Sequence, residues 1–331
     1  MPAAIAHWPV GKGGAPGRVG VVMKPILDLK TAKIGVELTN RCNMRCGMCP
    51  MNVLERADAD MPFWLVEKIA ADFRDNGVTV KWLHEMGEPL LYANLAEAIG
   101  LFPGCSVSTN CKALDEERSL RILATSLRRI RLCVDTMNPR LYPGIRRGGI
   151  WEQTIANVRR FLELSQGKAI DVEIQRLITT ETAPESVADF RRFFELERFP
   201  QARVIEKTCE PLDTADKTEF HQEYYGCFQG YPFRWFIVLA DGGVTHCCYD
   251  AHGKQLIGDM KTQTIREILG SDTLKEHMAA FRAHDWQRLP RCGECYKNAK
   301  GQAPFHDQLM RLGHRLDRLI SIKPLARRLK L

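Results

Sequence analysis

Six short runs rich in β-branched residues recur along the chain: IGVEL (34–38), VTVKWL (78–83), CSVST (105–109), RIRLCV (129–134), IDVEIQ (170–175) and ARVIE (202–206). Stretches of helical periodicity separate them, near 62–76, 94–101, 115–127, 151–165 and 184–197. Pro62 opens the first of these and Gly77 stands just past its end, the usual start and stop residues of a helix. Strand–helix units repeated in this order demand a parallel sheet, because a parallel neighbour is reached only through a long crossover, usually a helix. The predicted class is α/β. Six units suit either an open doubly wound sheet or an incomplete barrel, and periodicity does not choose between them.

After about residue 215 the pattern changes. Cysteine, glycine and aromatic residues become denser, and the repeats stop until a helix expected over 264–282. The predicted organisation is an irregular segment (1–32), a main α/β domain (33–215), a small second domain (216–300) and a tail (301–331). Residues 311–331 hold seven basic residues against Asp317 and so account for +6 of the formal charge of +7. The body is near neutral, which gives no electrostatic footprint for nucleic acid. Leu312, Leu316, Leu319 and Ile320 recur at helical spacing in the tail. Such a stripe most often packs on its own domain; contact with an anionic membrane or a partner protein is the other reading.

Twelve cysteines occur with no secretory leader and no apolar run long enough to span a bilayer. A cytoplasmic location follows, where clustered cysteines bind metal rather than form disulfides. Three of them, Cys42, Cys46 and Cys49, lie in ELTNRCNMRCGMCPM directly after the first predicted strand. In parallel α/β folds that loop lies on the edge where functional sites collect. A structural zinc site asks for four ligands in a closed shell, whereas three thiolates leave one corner of an iron–sulfur cube open.

The spacing Cys-x3-Cys-x2-Cys resembles that of radical S-adenosylmethionine (SAM) enzymes, and further elements of that family follow in order. MGEPLL (86–91) resembles its GGEP element, with Met86 in place of the first glycine; STN (108–110) resembles TNG, with Cys111 in place of the glycine. CVD (133–135) stands where many relatives have Ser-x-Asp, and IRRGGIW (145–151) resembles R-x-x-G-x-[FW]. The resemblance covers about residues 34–206 and implies a partial (β/α)6 TIM-like barrel. It also implies a [4Fe–4S] cluster on Cys42, Cys46 and Cys49, SAM on the open iron, and a 5′-deoxyadenosyl radical that abstracts hydrogen. By the same resemblance the Gly87–Glu88 segment receives the methionine amino group and Arg146 its carboxylate, while Asn110, Asp135 and Gln175 are candidates for SAM or substrate contacts. Cys133 replaces a serine that often helps hold SAM.

Cys227, Gly242, Cys247 and CGEC (292–295) resemble the opening of the SPASM domain, a C-terminal extension of many radical SAM enzymes. No cysteine follows Cys295, so Cys227, Cys247, Cys292 and Cys295 suffice for one auxiliary [4Fe–4S] cluster, as in the shortened twitch version. Four cysteines suit zinc as well. Cys248 is left over, either a hydrogen donor to a substrate radical or a small packed side chain. Cys105, Cys111 and Cys209 read as packing residues.

The expected reaction is hydrogen abstraction from a polar small molecule, sugar- or aminocyclitol-like, followed by electron loss to the auxiliary cluster: a dehydrogenation. A radical epimerase using Cys248 and a peptide-modifying maturase are the alternatives. The expected partners are the small-molecule substrate and an external one-electron reductant of flavodoxin or ferredoxin type, with no nucleic acid.

Overall fold

The computed structural model describes residues 31–208, 235–283 and 285–293, with residues 27 and 29 before them. Strands β1 (Lys33–Val36), β2 (Val80–Trp82), β3 (Ser106–Thr109), β4 (Arg129–Asp135), β5 (Asp171–Ile178) and β6 (Ala202–Thr208) coincide with the six predicted runs. They lie side by side in chain order and every neighbouring pair is parallel. This is the topology of a partial (β/α)6 barrel, open at β6.

The connecting helices are α1 (Phe63–Asp75), α2 (Leu95–Leu101), α3 (Glu116–Leu123), the single turn α4 (Tyr142–Ile145), α5 (Trp151–Leu164) and α6 (Val187–Phe193). In α1, Leu65, Val66, Ile69, Ala70 and Phe73 form the buried stripe, and Gly77 at φ +64° ends the helix where a Cβ is disfavoured. Asp115 caps α3 by accepting from Arg118 N–H at 2.8 Å. Ser186 and Asp189 form a reciprocal capping box on α6. That helix is shorter than its periodicity predicts: Glu195 turns to φ +50° and a 3-10 turn, Leu196–Arg198, finishes the run.

Along β4 the residues alternate. Ile130, Leu132 and Val134 are fully buried beneath the helices, whereas Arg129, Arg131, Cys133 and Asp135 turn to the opposite face, the barrel lumen.

The cysteine-rich segment joins the same sheet. Strand β7 (Trp235–Val238) pairs parallel with β1, Lys33 opposite Trp235 and Val36 opposite Val238, and β8 (Gly243–Thr245) and β9 (Leu256–Asp259) continue as an antiparallel meander. The helix expected over 264–282 is two helices. Its first part, α7 (Ile265–Gly270), stops at Gly270 and extended Ser271, and α8 (Asp272–Ala283) restarts beyond them. The tail, most of residues 1–32, and Cys209, Cys227 and Cys295 lie outside the described residues.

Candidate iron–sulfur and S-adenosylmethionine site

The loop after β1 is tied down largely by its own polar groups. Asn40 donates its side-chain amide to Ala57 O at 2.8 Å and accepts from Ala59 N–H at 2.7 Å, which closes the loop around the cysteines. Cys49 N–H donates to Cys46 O at 3.1 Å, and Asn52 Nδ2 to the same carbonyl at 3.0 Å. Cys42 and Cys49 pack with Leu54 against Met51, Met86 and Ala251. Burial pushes the Cys42 thiol up to about 11, against a hydrogen bond from the Met44 backbone that lowers it. Burial raises Cys49 as well. In the free chain these are therefore protonated thiols, and a cluster held here would displace their protons.

MGEPLL wraps the other side. Gly87 has φ +77°, and a Cβ there would stand 2.6 Å from Thr39 O and 2.8 Å from Arg41 O. Only glycine fits that approach. The Glu88 carboxylate is buried and committed within the protein: it accepts from Leu90 N–H (3.1 Å), the Thr109 hydroxyl (2.7 Å) and Asn110 N–H (2.7 Å). Burial raises its pKa, and those donors oppose the rise.

Asn110, from STN, donates Nδ2 to Asn43 Oδ1 at 2.8 Å and reaches Cys42 Sγ at 3.8 Å. The following Cys111 has φ +64° and is fully buried. A left-handed residue is needed where the motif it resembles has glycine, and here a cysteine adopts that conformation.

Asp135 also lies in the left-handed region, at φ +71°, and is fully buried. Its Oδ2 accepts from Arg146 Nε at 2.6 Å, with Arg146 Nη2 on the same oxygen, and its Oδ1 accepts from Gln175 Nε2 at 2.8 Å. Arg146 Nη1 then reaches Cys46 Sγ at 3.8 Å. Burial works against the Arg146 charge, but Asp135 in the first place, and Cys133 and Cys46 after it, hold its pKa well above the ordinary value. Asp135, Arg146 and Gln175, expected as separate contacts, thus form one network ending at a cysteine sulfur. IRRGGIW lies across the loop, with Arg45 N–H donating to Arg147 O at 2.9 Å.

Hydrogen bonds also join the two described cysteine segments of the C-terminal part. Arg291 Nε donates to Tyr249 O at 2.9 Å, and Gln255 both donates to Cys292 Sγ (3.3 Å) and accepts from Cys292 N–H (3.1 Å). Cys247 and Cys248 are half-buried in this region. Among the described residues no three His, Cys, Asp or Glu side chains converge on a single metal ion. A cluster that brings its own irons asks instead for thiols spaced around it, with donors aimed at the sulfurs. Cys42, Cys46 and Cys49, with Asn110 and Arg146 at two of the sulfurs, fit that demand.

Residues 36–174 match the radical SAM superfamily, and residues 227–296 match SPASM, an iron–sulfur cluster-binding domain. These are the two domain matches of a radical SAM enzyme with a C-terminal SPASM domain. The cofactors that go with these two domains are [4Fe–4S] clusters and SAM. Among curated relatives, a GTP 3′,8-cyclase of Mycobacterium marinum is 28% identical over 204 residues, 57% of this chain and 54% of its own. A probable GTP 3′,8-cyclase of Methanothermobacter marburgensis is 29% identical over 252 residues, 74% and 77% of the two chains. This chain thus spans about half the length of the first and three-quarters of the second. In fold it is similar to anSMEcpe with bound AdoMet (TM-score 0.57, 14% identity, 88% of this chain and 98% of that one). It is likewise similar to Streptococcus suis SuiB bound to the precursor peptide SuiA (0.54, 17%, 75% and 66%). No helix among the described residues is long and apolar enough to cross a membrane.

One set of residues escaped the sequence reading. Glu37, in IGVEL, is fully buried and receives both Nη groups of Arg56 at 2.8 Å, Met86 N–H at 3.0 Å and Ala240 N–H at 2.9 Å. Arg56 Nε also donates to Ala251 O at 2.7 Å. This pair joins the cysteine loop, the MGEP loop and the C-terminal part. The available signal was a carboxylate inside an otherwise apolar strand, which has to be paired to be buried.

Proposed function

We propose that this radical SAM enzyme abstracts hydrogen from a polar small molecule of sugar or cyclitol type and completes a dehydrogenation. The observation that carries the reading is the lumen itself: beside the cysteine loop stand Asn110, Asp135, Arg146 and Gln175, and beneath them a wall of charged rather than apolar side chains. Cys42, Cys46 and Cys49 hold the first cluster, and Cys227, Cys247, Cys292 and Cys295 the second. When bound, the clusters and SAM supply reductive cleavage of the sulfonium and hydrogen abstraction by the 5′-deoxyadenosyl group.

The chain's own residues bind and position. Asp135 holds Arg146 by two of its nitrogens, so that the guanidinium is fixed beside Cys46 without searching rotamers. In this reading Arg146 and the backbone of Gly87–Glu88 receive the methionine carboxylate and amino group, and Glu88 keeps the MGEP segment pressed to the end of β3. The small apolar contact of Met51, Met86 and Ala251 shields the loop from water.

A second reading, nucleotide cyclisation, is favoured by the two GTP 3′,8-cyclase relatives. It differs in the substrate, a nucleotide in place of a polyol, and in the fate of the substrate radical, which closes a ring rather than losing an electron. The peptide maturase has a likeness of fold behind it, to SuiB bound to the precursor peptide SuiA at 17% identity; the Cys248 epimerase has none among these relatives. The test is iron and sulfide per chain after anaerobic reconstitution, with 5′-deoxyadenosine and substrate products followed by mass spectrometry in the presence of polyols or GTP. About eight irons falling to about four in Cys42→Ala/Cys46→Ala/Cys49→Ala, with 5′-deoxyadenosine lost, supports the radical SAM reading. A polyol two mass units lighter selects dehydrogenation, and a cyclised nucleotide selects the second reading. No 5′-deoxyadenosine from a fully loaded wild type overturns both.

A further inference from the structure

Two residues before the cofactor-facing positions, each strand carries another side chain on the same face. Asn110 is preceded by Ser108, Cys133 by Arg131, Gln175 by Glu173 and Ile205 by Arg203. The register sets these in one row across the sheet: Ser108 opposite Arg131, Arg131 opposite Glu173, Glu173 opposite Arg203. At the rise of a strand the row lies about 6.6 Å deeper in the lumen than the cofactor row. His84 belongs to it, since its Nδ1 accepts from Ser108 N–H at 3.2 Å.

Barrel interiors are ordinarily filled by layers of branched apolar side chains. This one is filled by charge. Glu173, nearly buried, receives Arg131 through Nε (3.1 Å) and Nη2 (2.8 Å), Arg203 on its other oxygen, and Arg129 Nε at 3.4 Å. Asp171 takes part of Arg129 at 3.3 Å. Lys207, exposed and two residues along β6 from Ile205, lies near enough for its charge to act on His84 and Glu85. Arg129, Arg131, Arg203 and Lys207 stand against Asp171 and Glu173, and Glu85, its pKa raised to about 8 by burial, is protonated at neutral pH, which leaves two positive charges on this face. The Glu37 charge does not alter that balance, because Arg56 matches it. Burial, and after it Arg131 and Lys207, lower the His84 pKa to about 3, so the ring is neutral. With Nδ1 accepting, its proton sits on Nε2, which has no partner among the described residues.

We infer that this row anchors an anionic group of the substrate, a phosphate or a carboxylate, held by Arg131, Arg203 and Lys207 with the His84 Nε2–H as a neutral donor. The inference rests on the radical SAM reading above and narrows its polar substrate to an anionic one. Guanidinium forks suit either oxyanion. Glu173 holds the arginines apart and in plane, as a stand-in for charge that the ligand completes. An anion seated here places the carbons next to it at the level of Asn110, Cys133 and Gln175, where abstraction is to occur. An amino sugar would instead bring a cation to a cationic wall.

The test uses four sugars that differ in charge on one ring: glucose 6-phosphate, glucuronate, glucose and glucosamine. Each is titrated calorimetrically into the full, reconstituted chain at low salt. The phosphate or the carboxylate sugar is expected to bind at least tenfold tighter than glucose, with glucosamine weakest, and the order of the first two tells phosphate from carboxylate. Arg131→Gln should weaken that anion roughly tenfold or more, the loss of a charged hydrogen bond. Glu173→Gln should tighten it, because the competing carboxylate is gone; a purely structural cluster predicts no such gain. Lys207→Met weakens the anion without stranding a buried partner, and so serves if Arg131→Gln does not fold. Arg160→Gln, whose side chain pairs with Glu116 on the outer helices, should change nothing. Equal affinity for all four sugars, no anion binding at millimolar concentration, or glucosamine as the best ligand overturns the anchor. Loss of 5′-deoxyadenosine formation with the anion preference intact would strike the proposed function instead.

Discussion

Asp135 carries the clearest consequence at the scale of one residue. It is buried, left-handed and shared between Arg146 and Gln175. Asparagine tolerates the left-handed region, so Asp135→Asn removes charge without adding backbone strain. With Arg146 no longer held, 5′-deoxyadenosine formation is expected to fall about tenfold to a hundredfold, as for other lost partners of a metal site. Iron content should stay near that of the wild type, which separates positioning from cluster loss. Glu85 gives a pH signature. Burial first, then the neighbouring Glu37, raise its pKa from 4.5 to about 8, while the Trp82 indole N–H, Arg56 and Lys207 oppose the rise. The folded chain therefore holds a proton that the unfolded chain has released, and stability declines as pH rises from 4.5 towards 8. Glu85→Gln should remove that decline and stabilise the chain near pH 8 by about 1–2 kcal/mol, after allowance for partial exposure to solvent. Chemical denaturation of both forms across that range is the check; parallel curves would mean that Glu85 ionises normally.

Among the elements, the loops at the strand ends are held by backbone approach as much as by side chains. Gly87→Ala puts a methyl into the Thr39 and Arg41 carbonyls and also requires φ +77° of an L-residue. Gly77→Ala has the same left-handed problem at φ +64° but open space around it. Gly77→Ala should cost about 1–2 kcal/mol, the left-handed penalty alone. Gly87→Ala should cost more than 3 kcal/mol or displace the MGEP loop, and with it iron retention on the first cluster. Thermal unfolding of the apoprotein, together with iron per chain, distinguishes the two. Similar losses from both substitutions would show that backbone contact at Gly87 is unimportant.

For the molecule as a whole, the Glu37–Arg56 pair decides whether the barrel and the C-terminal part behave as one body. Four hydrogen bonds satisfy the Glu37 carboxylate, and they come from three separate segments. Removing one partner of a buried pair leaves the other charge unpaired, at a cost of about 3–5 kcal/mol. Arg56→Met should therefore open the junction at Ala240 and Ala251 and make the cysteine-rich segment an early target of limited proteolysis. A double replacement, Glu37→Leu/Arg56→Met, should recover much of the stability, since no buried charge remains. If the single and double variants are cleaved alike, the junction is held by the β1–β7 pairing instead.

The sequence by itself determined what is local or periodic. Six strands and their order, the parallel class, the cysteine loop and the loop motifs after the strands were all readable, because alternation, helix caps and ligand spacing lie within a few residues of one another. The shortening of α6 and the split between α7 and α8 were less so, since Glu195 and Ser271 break runs that remain apolar in pattern. Only the tertiary structure decided which distant groups meet. Asp135, Arg146 and Gln175 are 11 and 40 residues apart and come together because β4 and β5 are neighbours. Glu37 finds Ala240 because β7 adds to the edge of β1. The charged positions of RIRLCV, IDVEIQ and ARVIE have the period-two alternation that any half-buried strand with a wet face would show. Curvature of the sheet turns that face inward, and the same alternation then makes a charged lumen instead of a solvent surface.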